Sequence, residues 1–228
     1  MNIKNFFFTT VLIVAAVITS NAHPTDANSI LKRGNALVAQ EKYKLAIEEY
    51  NKVSNRDSDL YARATYNIGV CYYELWQTDD AIAFYKRAID LKHGKYPRAS
   101  HALGVALEDQ EKLTEARAAY EQAVSASHGD FVRATFSLGL LEAKTGDFKK
   151  AAALFRETAA RAGAHVPSSH NNLGVMLVHL GFLKEAEQEF VVALQQADGR
   201  FDEAAHNLSL CRSLTSGLRQ DYKLSVLN

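Results

Sequence analysis

The feature of this sequence that most restricts its fold is a glycine that recurs every 35 residues. An alanine and a large aromatic residue recur with the same step, so three sets of positions stay in register along the chain. Their members are Gly34, Gly69, Gly104, Gly139 and Gly174; Ala46, Ala81, Ala116, Ala151 and Ala186; and Tyr50, Tyr85, Tyr120, Phe155 and Phe190. Such periodicity indicates repeated structural units that bury their apolar faces by stacking on one another.

Each unit is predicted to hold two helices. In the second unit, apolar residues recur at helical spacing over residues 62–75 and again over 79–91, which indicates one buried face on each helix. The residues expected at the helix ends agree with the prediction of two helices per unit. Glycines follow second helices and prolines open first helices, as expected for a left-handed cap and a helix start: Gly94, Gly129, Gly199, Pro97 and Pro167.

These patterns predict an all-α protein, an α-solenoid of five helix-turn-helix units with a terminal helix. The predicted units are 27–61, 62–96, 97–131, 132–166 and 167–201, followed by a capping helix over 202–215 and a C-terminal tail over 216–228. The composition agrees, because the chain contains only three prolines.

The recurring glycine itself needs a reason. A glycine inside a helix costs about 1 kcal/mol relative to alanine. We interpret Gly69 and its equivalents as packing residues that let the two helices of a unit approach closely through glycine and alanine. The large ring four residues after the alanine, such as Tyr85, is then expected to fill the space beside that contact.

The second unit resembles the tetratricopeptide repeat (TPR), and the similarity extends over about residues 27–215. It is carried by Ile68, Gly69, Tyr72, Ala81, Tyr85 and Ala88. The resemblance implies a right-handed solenoid whose first helices line a concave groove and supply the ligand contacts. Two features depart from the family pattern. Each unit has 35 residues rather than about 34, and Glu142 and Thr158 in the fourth unit replace residues that are usually apolar or small.

The first residues have the pattern of a secretory signal peptide over residues 1–22. Lys4 provides a positive start, an apolar run follows over residues 6–18, and small residues precede a cleavage point after Ala22. We therefore expect export to the periplasm or the extracellular space, a short linker over 23–26, and no stable membrane span in the mature chain. The alternative is an uncleaved N-terminal membrane anchor, although the run is shorter than the ~20 apolar residues that a span needs.

No pattern for catalysis or metal binding is apparent, so we predict a protein that is not an enzyme and has no cofactor. The histidines lack metal-binding spacing, and no nucleophile elbow or phosphate loop is present. Lys and Arg together number 26, as do Asp and Glu, so no overall charge attracts nucleic acid. Cys71 and Cys211 lie four units apart and are expected to be unpaired core residues.

Candidate binding residues lie on the first helices, where the resemblance places ligand contacts. Arginines recur at the second position of three units, asparagines at the sixth position, and apolar and aromatic residues lie between them. The candidates are Arg63, Arg98 and Arg133; Asn67, Asn172 and Asn207; Val70, Val105 and Leu140; and Tyr66, His101 and Phe136. In similar TPR proteins the asparagine bonds a peptide backbone. The plainer interpretation is that the arginines are solvated and the valines complete the helix packing.

We therefore predict an exported, non-enzymatic scaffold or adaptor, a monomer that binds a protein or an extended peptide in its concave groove. The arginine row suggests that the bound segment is acidic. Two alternatives remain: an assembly factor of an envelope complex, or an accessory or regulatory subunit of such a complex or of an exported enzyme.

Overall fold

A computed structural model describes residues 26–161 and 166–217 of the chain, and it confirms the all-α repeat architecture. Within these residues it contains eleven helices and no strand. The helices are α1 (Ala27–Val38), α2 (Tyr43–Tyr50), α3 (Ser58–Glu74), α4 (Thr78–Leu91), α5 (Pro97–Asp109), α6 (Leu113–Ala126), α7 (Val132–Lys144), α8 (Phe148–Ala159), α9 (Val166–His179), α10 (Leu183–Gln196) and α11 (Asp202–Thr215).

The helices stack in chain order, as a solenoid requires. Each odd-numbered first helix packs against the second helix of its own unit, and that second helix packs against the first helix of the next unit. Successive first helices also touch, as α3 does with α5 and α9 with α11. Among the described residues no two second helices come as close, so the first helices line the inner side of the stack.

The recurring glycines contact the recurring aromatic rings directly. A Cβ atom on Gly104 would lie 2.5 Å from Cδ1 of Tyr120 and closer still to Cε1. The same ring-on-glycine contact joins the two helices of all five units. The expectation that the ring would lie beside a contact between two backbones needs correction: the ring itself occupies the space that the missing side chain leaves.

Helix α3 is longer than predicted at its start. The repeat pattern suggested a beginning near Ala62, but α3 begins at Ser58. The side chain of Asp57 accepts hydrogen bonds from the backbone N–H groups of Asp59 (3.1 Å) and Leu60 (3.0 Å). This N-cap satisfies two backbone donors at the helix end, which supports an additional turn.

The predicted glycine caps adopt left-handed backbone conformations. Gly94, Gly129 and Gly199 have φ angles of 78°, 79° and 74°. The preceding residue is also left-handed in each case, for example His93 with φ of 50°. The turns between the two helices of a unit use one left-handed residue as well: Glu41, Trp76, Glu111, Gly146 and Gly181. The turn geometry is therefore common to all units although its residues vary.

The two unusual residues of the fourth unit have polar partners. Glu142 is 2% exposed, and it accepts two hydrogen bonds from Arg117 (2.9 and 3.1 Å) and lies 2.8 Å from Nζ of Lys150. Burial raises its pKa, but the bonds from Arg117 and Lys150 outweigh burial and hold the pKa below its ordinary value. Thr158 donates to the carbonyl of Phe155 at 2.9 Å. The buried polar groups of Glu142 and Thr158 thus form hydrogen bonds with neighbouring residues.

Both cysteines are buried and unpaired, as predicted. Burial raises the pKa of Cys71 to about 11, so its thiol is protonated at neutral pH. They act as small core residues.

The predicted signal peptide, its cleavage point and residues 218–228 of the tail lie outside the described residues. In the part of the chain that the structure does describe, no helix is both long enough and apolar enough to cross a membrane.

Candidate partner-binding groove

Four positions of each first helix share one face, because they are spaced by three, four and three residues. On α3 these are Arg63, Tyr66, Val70 and Tyr73; on α5, Arg98, His101, Val105 and Glu108; on α7, Arg133, Phe136, Leu140 and Ala143. We call this surface the inner face. Its arginines are exposed, while Tyr66, Val70, His101, Val105 and Leu140 are half-buried.

Within the described residues, the three arginines of the inner face act on nearby groups only through their charge; that of Arg63, for example, contributes, after the larger effect of Lys92, to lowering the pKa of Asp59. None of them forms a hydrogen bond or an ion pair there. Other arginines do pair with acidic residues, namely Arg33, Arg117, Arg161, Arg200 and Arg212. Arg98 and Arg133 are moreover the second residues of α5 and α7, where the helix dipole disfavours positive charge. Their positions therefore do not serve helix stability.

A cavity of about 440 Å³ lies between two of these arginines. Arg63 and Arg98 line it together with the rings of Tyr96 and Phe131. The remaining lining residues are Asp59, Lys92, Pro97, Ser127 and Asp130. The cavity thus combines aromatic walls with two guanidinium groups that form no ion pair in the described part of the chain, while its carboxylates pair with lysine or arginine: Asp59 with Lys92, and Asp130 with Arg161.

Aromatic side chains form the wall of the groove beside the arginines. The ring centroids of Tyr66 and Tyr96 are 5.5 Å apart, and those of His101 and Phe131 are 5.4 Å apart in an edge-to-face arrangement. Burial raises the pKa of Tyr96 to about 12. These contacts order the rings and leave a mostly apolar wall.

His101 is held in its neutral form. Its Nε2 lies 3.0 Å from the hydroxyl oxygen of Ser137, and burial, with a smaller effect from the nearby charge of Arg133, lowers its pKa to about 4. A neutral imidazole here adds no charge to the arginine row at physiological pH.

We expect His101 to make the protein less stable in acid. Its folded-state pKa of about 4 lies below the ordinary value of 6.5, so the unfolded chain takes up the proton first. The stabilisation is complete above about pH 6.5 and is lost as the pH falls toward 4. Denaturant unfolding at several pH values should show a weaker pH dependence for His101→Gln. His206→Gln, at an exposed position, should keep the wild-type slope; equal slopes for all three proteins would contradict the assignment.

The apolar floor of the groove is accessible only in part. Val70, Val105 and Leu140 are half-buried, whereas Phe136 is 3% exposed and packs on Phe155 with ring centroids 5.6 Å apart. The surface that a partner can reach therefore lies mainly along α3 and α5 and the near side of α7.

The candidate asparagines are engaged in hydrogen bonds within the chain. Asn67 donates to Oδ1 of Asn35 at 3.1 Å. Asn172 and Asn207 are fully buried, and Asn171 joins them: Asn207 donates to Asn171 at 2.9 Å, and Asn171 donates to Asn172 at 3.2 Å. The structure thus brings the arginines and the rings together, while the last two asparagines belong to a buried polar chain. Their role in holding a partner stays a prediction.

Three residues of this region were missed by the sequence reasoning. Tyr96 and Phe131 end their units, and Tyr61 and Phe201 end others, so a fourth 35-residue series was present in the sequence. Asn171 occupies the position of Tyr66 and His101, but a single asparagine gives no signal of its bonds to two others.

Comparison with known families finds the same repeat. Models described as tetratricopeptide repeat match residues 27–93, 101–167 and 144–201. No protein of curated function matches the chain in sequence.

Solved structures show the same fold. A MamA protein is 20% identical with a TM-score of 0.62, over 76% of this chain and 93% of its own. MamA from Desulfovibrio magneticus RS-1, residues 41 to the end, is 17% identical with a TM-score of 0.61, over 76% and 96%. YrrB, described as a TPR protein with an unusual peptide-binding site, is 20% identical with a TM-score of 0.60, over 85% and 94%. The family matches, which span most of the chain, show that this protein belongs to the tetratricopeptide repeat family.

Proposed function

We propose that this chain is a non-enzymatic, monomeric scaffold that holds an extended segment of another protein on its inner face, and that the segment carries acidic groups. The observation that carries the proposal is the cavity between Arg63 and Arg98, where two unpaired guanidinium groups face aromatic walls. TPR folds are typical of protein-interaction scaffolds, and the structurally similar YrrB is described as having a peptide-binding site. An assembly factor or an accessory subunit of a larger complex would use the same surface.

The chemistry of the inner face suits an extended acidic chain. A guanidinium group binds a carboxylate through two parallel hydrogen bonds. Equivalent positions on neighbouring helices are separated by about 10 Å. One turn of a chain in the polyproline II conformation has three residues, advances by about 9 Å and returns its side chains to the same side. Acidic side chains at every third position would therefore meet Arg63, Arg98 and Arg133 in turn.

A labelled peptide tests this spacing directly. The probe is acetylated and amidated, with glutamate at every third position and serine or valine between, and its binding is followed by fluorescence anisotropy. We expect saturable binding that weakens as salt rises, because screening acts on exposed charges. A peptide with glutamine in place of each glutamate should bind much more weakly. Equal binding of the two peptides would contradict the acidic partner.

We also propose that the scaffold acts outside the cytoplasm. The support is the sequence of residues 1–22, with its positive start, apolar run and small residues before the cleavage point. Amino-terminal sequencing of the protein from its native host should then begin at His23. An intact Met1 on protein in the membrane fraction would favour the anchored alternative.

A further inference from the structure

The helix ends beside the inner face carry opposite charges in the second and third units. Glu74 is the last residue of α3 and Asp109 is the last residue of α5. No basic side chain in the described residues pairs with either carboxylate, and Asp109 accepts a hydrogen bond from the hydroxyl of Tyr73. Negative charge at a helix C-terminus opposes the helix dipole. Helix α5 therefore carries a positive charge near its start, at Arg98, and a negative charge at its end, at Asp109. Both charges interact unfavourably with the helix dipole.

These opposite charges affect the pKa values of the neighbouring tyrosines. At the acidic end, burial, together with the hydrogen bond and charge of Asp109 and the charge of Glu74, raises the pKa of Tyr73 to about 12. At the basic end, burial raises the pKa of Tyr66, while Arg98 and Arg133 act in the opposite direction. Charges of opposite sign therefore act on the tyrosines at the two ends of these helices. From Arg98 to Asp109 the helix advances by about 16 Å, at 1.5 Å per residue.

A second cavity lies at the acidic end. Its volume is about 510 Å³, and Tyr73, Glu74, Trp76, Thr78 and Asp109 line it. Trp76 is 91% exposed, which is unusual for the largest apolar side chain. An indole face beside two carboxylates offers both a cation–π contact and charge neutralisation to a lysine or arginine side chain.

From this arrangement we infer that the bound segment is itself polarised, and that beyond its contact with the arginine row it turns to run along α3 and α5 instead of across them. It carries an acidic side chain that meets the arginines and a basic side chain that enters the cavity beside Trp76, with apolar residues over Val70 and Val105 between them. Side chains of an extended chain alternate between its two sides, so both charged residues face the scaffold only when an even number of positions separates them. Six positions span about 20 Å, which covers the distance between the arginines and the cavity. The inference rests on the proposed function, because its acidic contact uses the same arginine row.

Trp76 provides a local readout, since it is the only tryptophan in the chain. The probe is an acetylated, amidated heptapeptide with glutamate first, lysine last, valine at the third and fifth positions and serine at the others, so that the glutamate, the valines and the lysine share one side. Binding should shift the tryptophan emission to shorter wavelength, because the lysine stem covers the exposed indole. Replacing the lysine with glutamine should weaken binding by about threefold to tenfold, the range expected for a cation–π contact at a partly exposed site.

Two variants distinguish binding of the lysine in the cavity beside Trp76 from a general effect of the protein's net charge. Glu74→Gln removes one carboxylate and leaves Trp76 and the bond between Tyr73 and Asp109 in place, so it should reduce the preference for lysine over glutamine. Asp90→Asn makes the same change in net charge on an exposed site of α4 outside the cavity, and it should keep that preference.

The outcomes separate this inference from the proposed function. If the lysine and glutamine peptides bind equally, or if the tryptophan emission does not move when the peptide saturates by anisotropy, the polarised segment is wrong while an acidic partner remains supported. If neither this heptapeptide nor the probe with glutamate at every third position binds at the highest soluble concentration, both fail.

Discussion

Replacing Gly104 with alanine is expected to destabilise the protein, although alanine is the better helix former. Helix propensity alone would favour the change by about 1 kcal/mol. The added Cβ would lie 2.5 Å from Cδ1 of Tyr120, whose ring is 2% exposed and whose hydroxyl donates to Glu108 at 3.1 Å. Because the ring cannot move away freely, overpacking should cost about 1–3 kcal/mol. Gly104→Leu should cost more. Denaturant unfolding measures both.

Two comparisons make this prediction specific to the ring contact. Gly139→Ala should destabilise less, because the nearest ring atom of Phe155 is 2.9 Å away. Tyr120→Leu shortens the side chain, so the double variant Gly104→Ala with Tyr120→Leu should be more stable than the sum of the two single changes predicts. A higher unfolding midpoint for Gly104→Ala would refute the contact.

Replacing Arg63, Arg98 and Arg133 with glutamate is expected to abolish binding of the acidic probe. Each change replaces an attractive contact with a repulsive one, and like charges face to face cost several kcal/mol in an interface. Stability should change little, because exposed charges contribute about 0–1 kcal/mol. Anisotropy measures the binding, and circular dichroism with thermal melting measures the fold.

A matched control makes the same change in net charge at three positions outside the inner face. Arg56, Lys149 and Arg156 are exposed and lie in a loop or on the second helix α8. Their triple glutamate variant should bind the probe within about threefold of wild type, since distant charges act through screened potentials. If the inner-face variant and this control bind equally well, the arginine row is not the binding site.

Much of the fold could be predicted because the residues that specify it recur at a fixed interval along the chain. The series of Gly34 and its equivalents gave the number and phase of the units without any alignment. Two details do not follow from periodicity. The start of α3 depends on the single side chain of Asp57, which belongs to no series. The contact of Gly104 with the ring of Tyr120 depends on the distance between two helices, which spacing along one chain does not specify.

For a related reason, only part of the candidate site could be predicted from the sequence. The arginines form a series and could be placed on one face by spacing alone. The pairing of Tyr66 with Tyr96 joins a first helix to the loop before the next unit, and the chain of three asparagines joins neighbouring units. The acidic end at Glu74 and Asp109 is also a property of two neighbouring units together. Such relations between units require the three-dimensional stacking.

The ring-on-glycine contact joins two helices of one hairpin and never two neighbouring units. Duplicating or deleting a stretch of 35 residues therefore leaves every such contact intact. Unequal recombination between the repeated segments would lengthen or shorten the row of arginines in whole steps and would keep this contact inside every hairpin. A lineage can in this way match the scaffold to longer or shorter partners by copying one unit, because the glycine and its ring hold the two helices of each copy together.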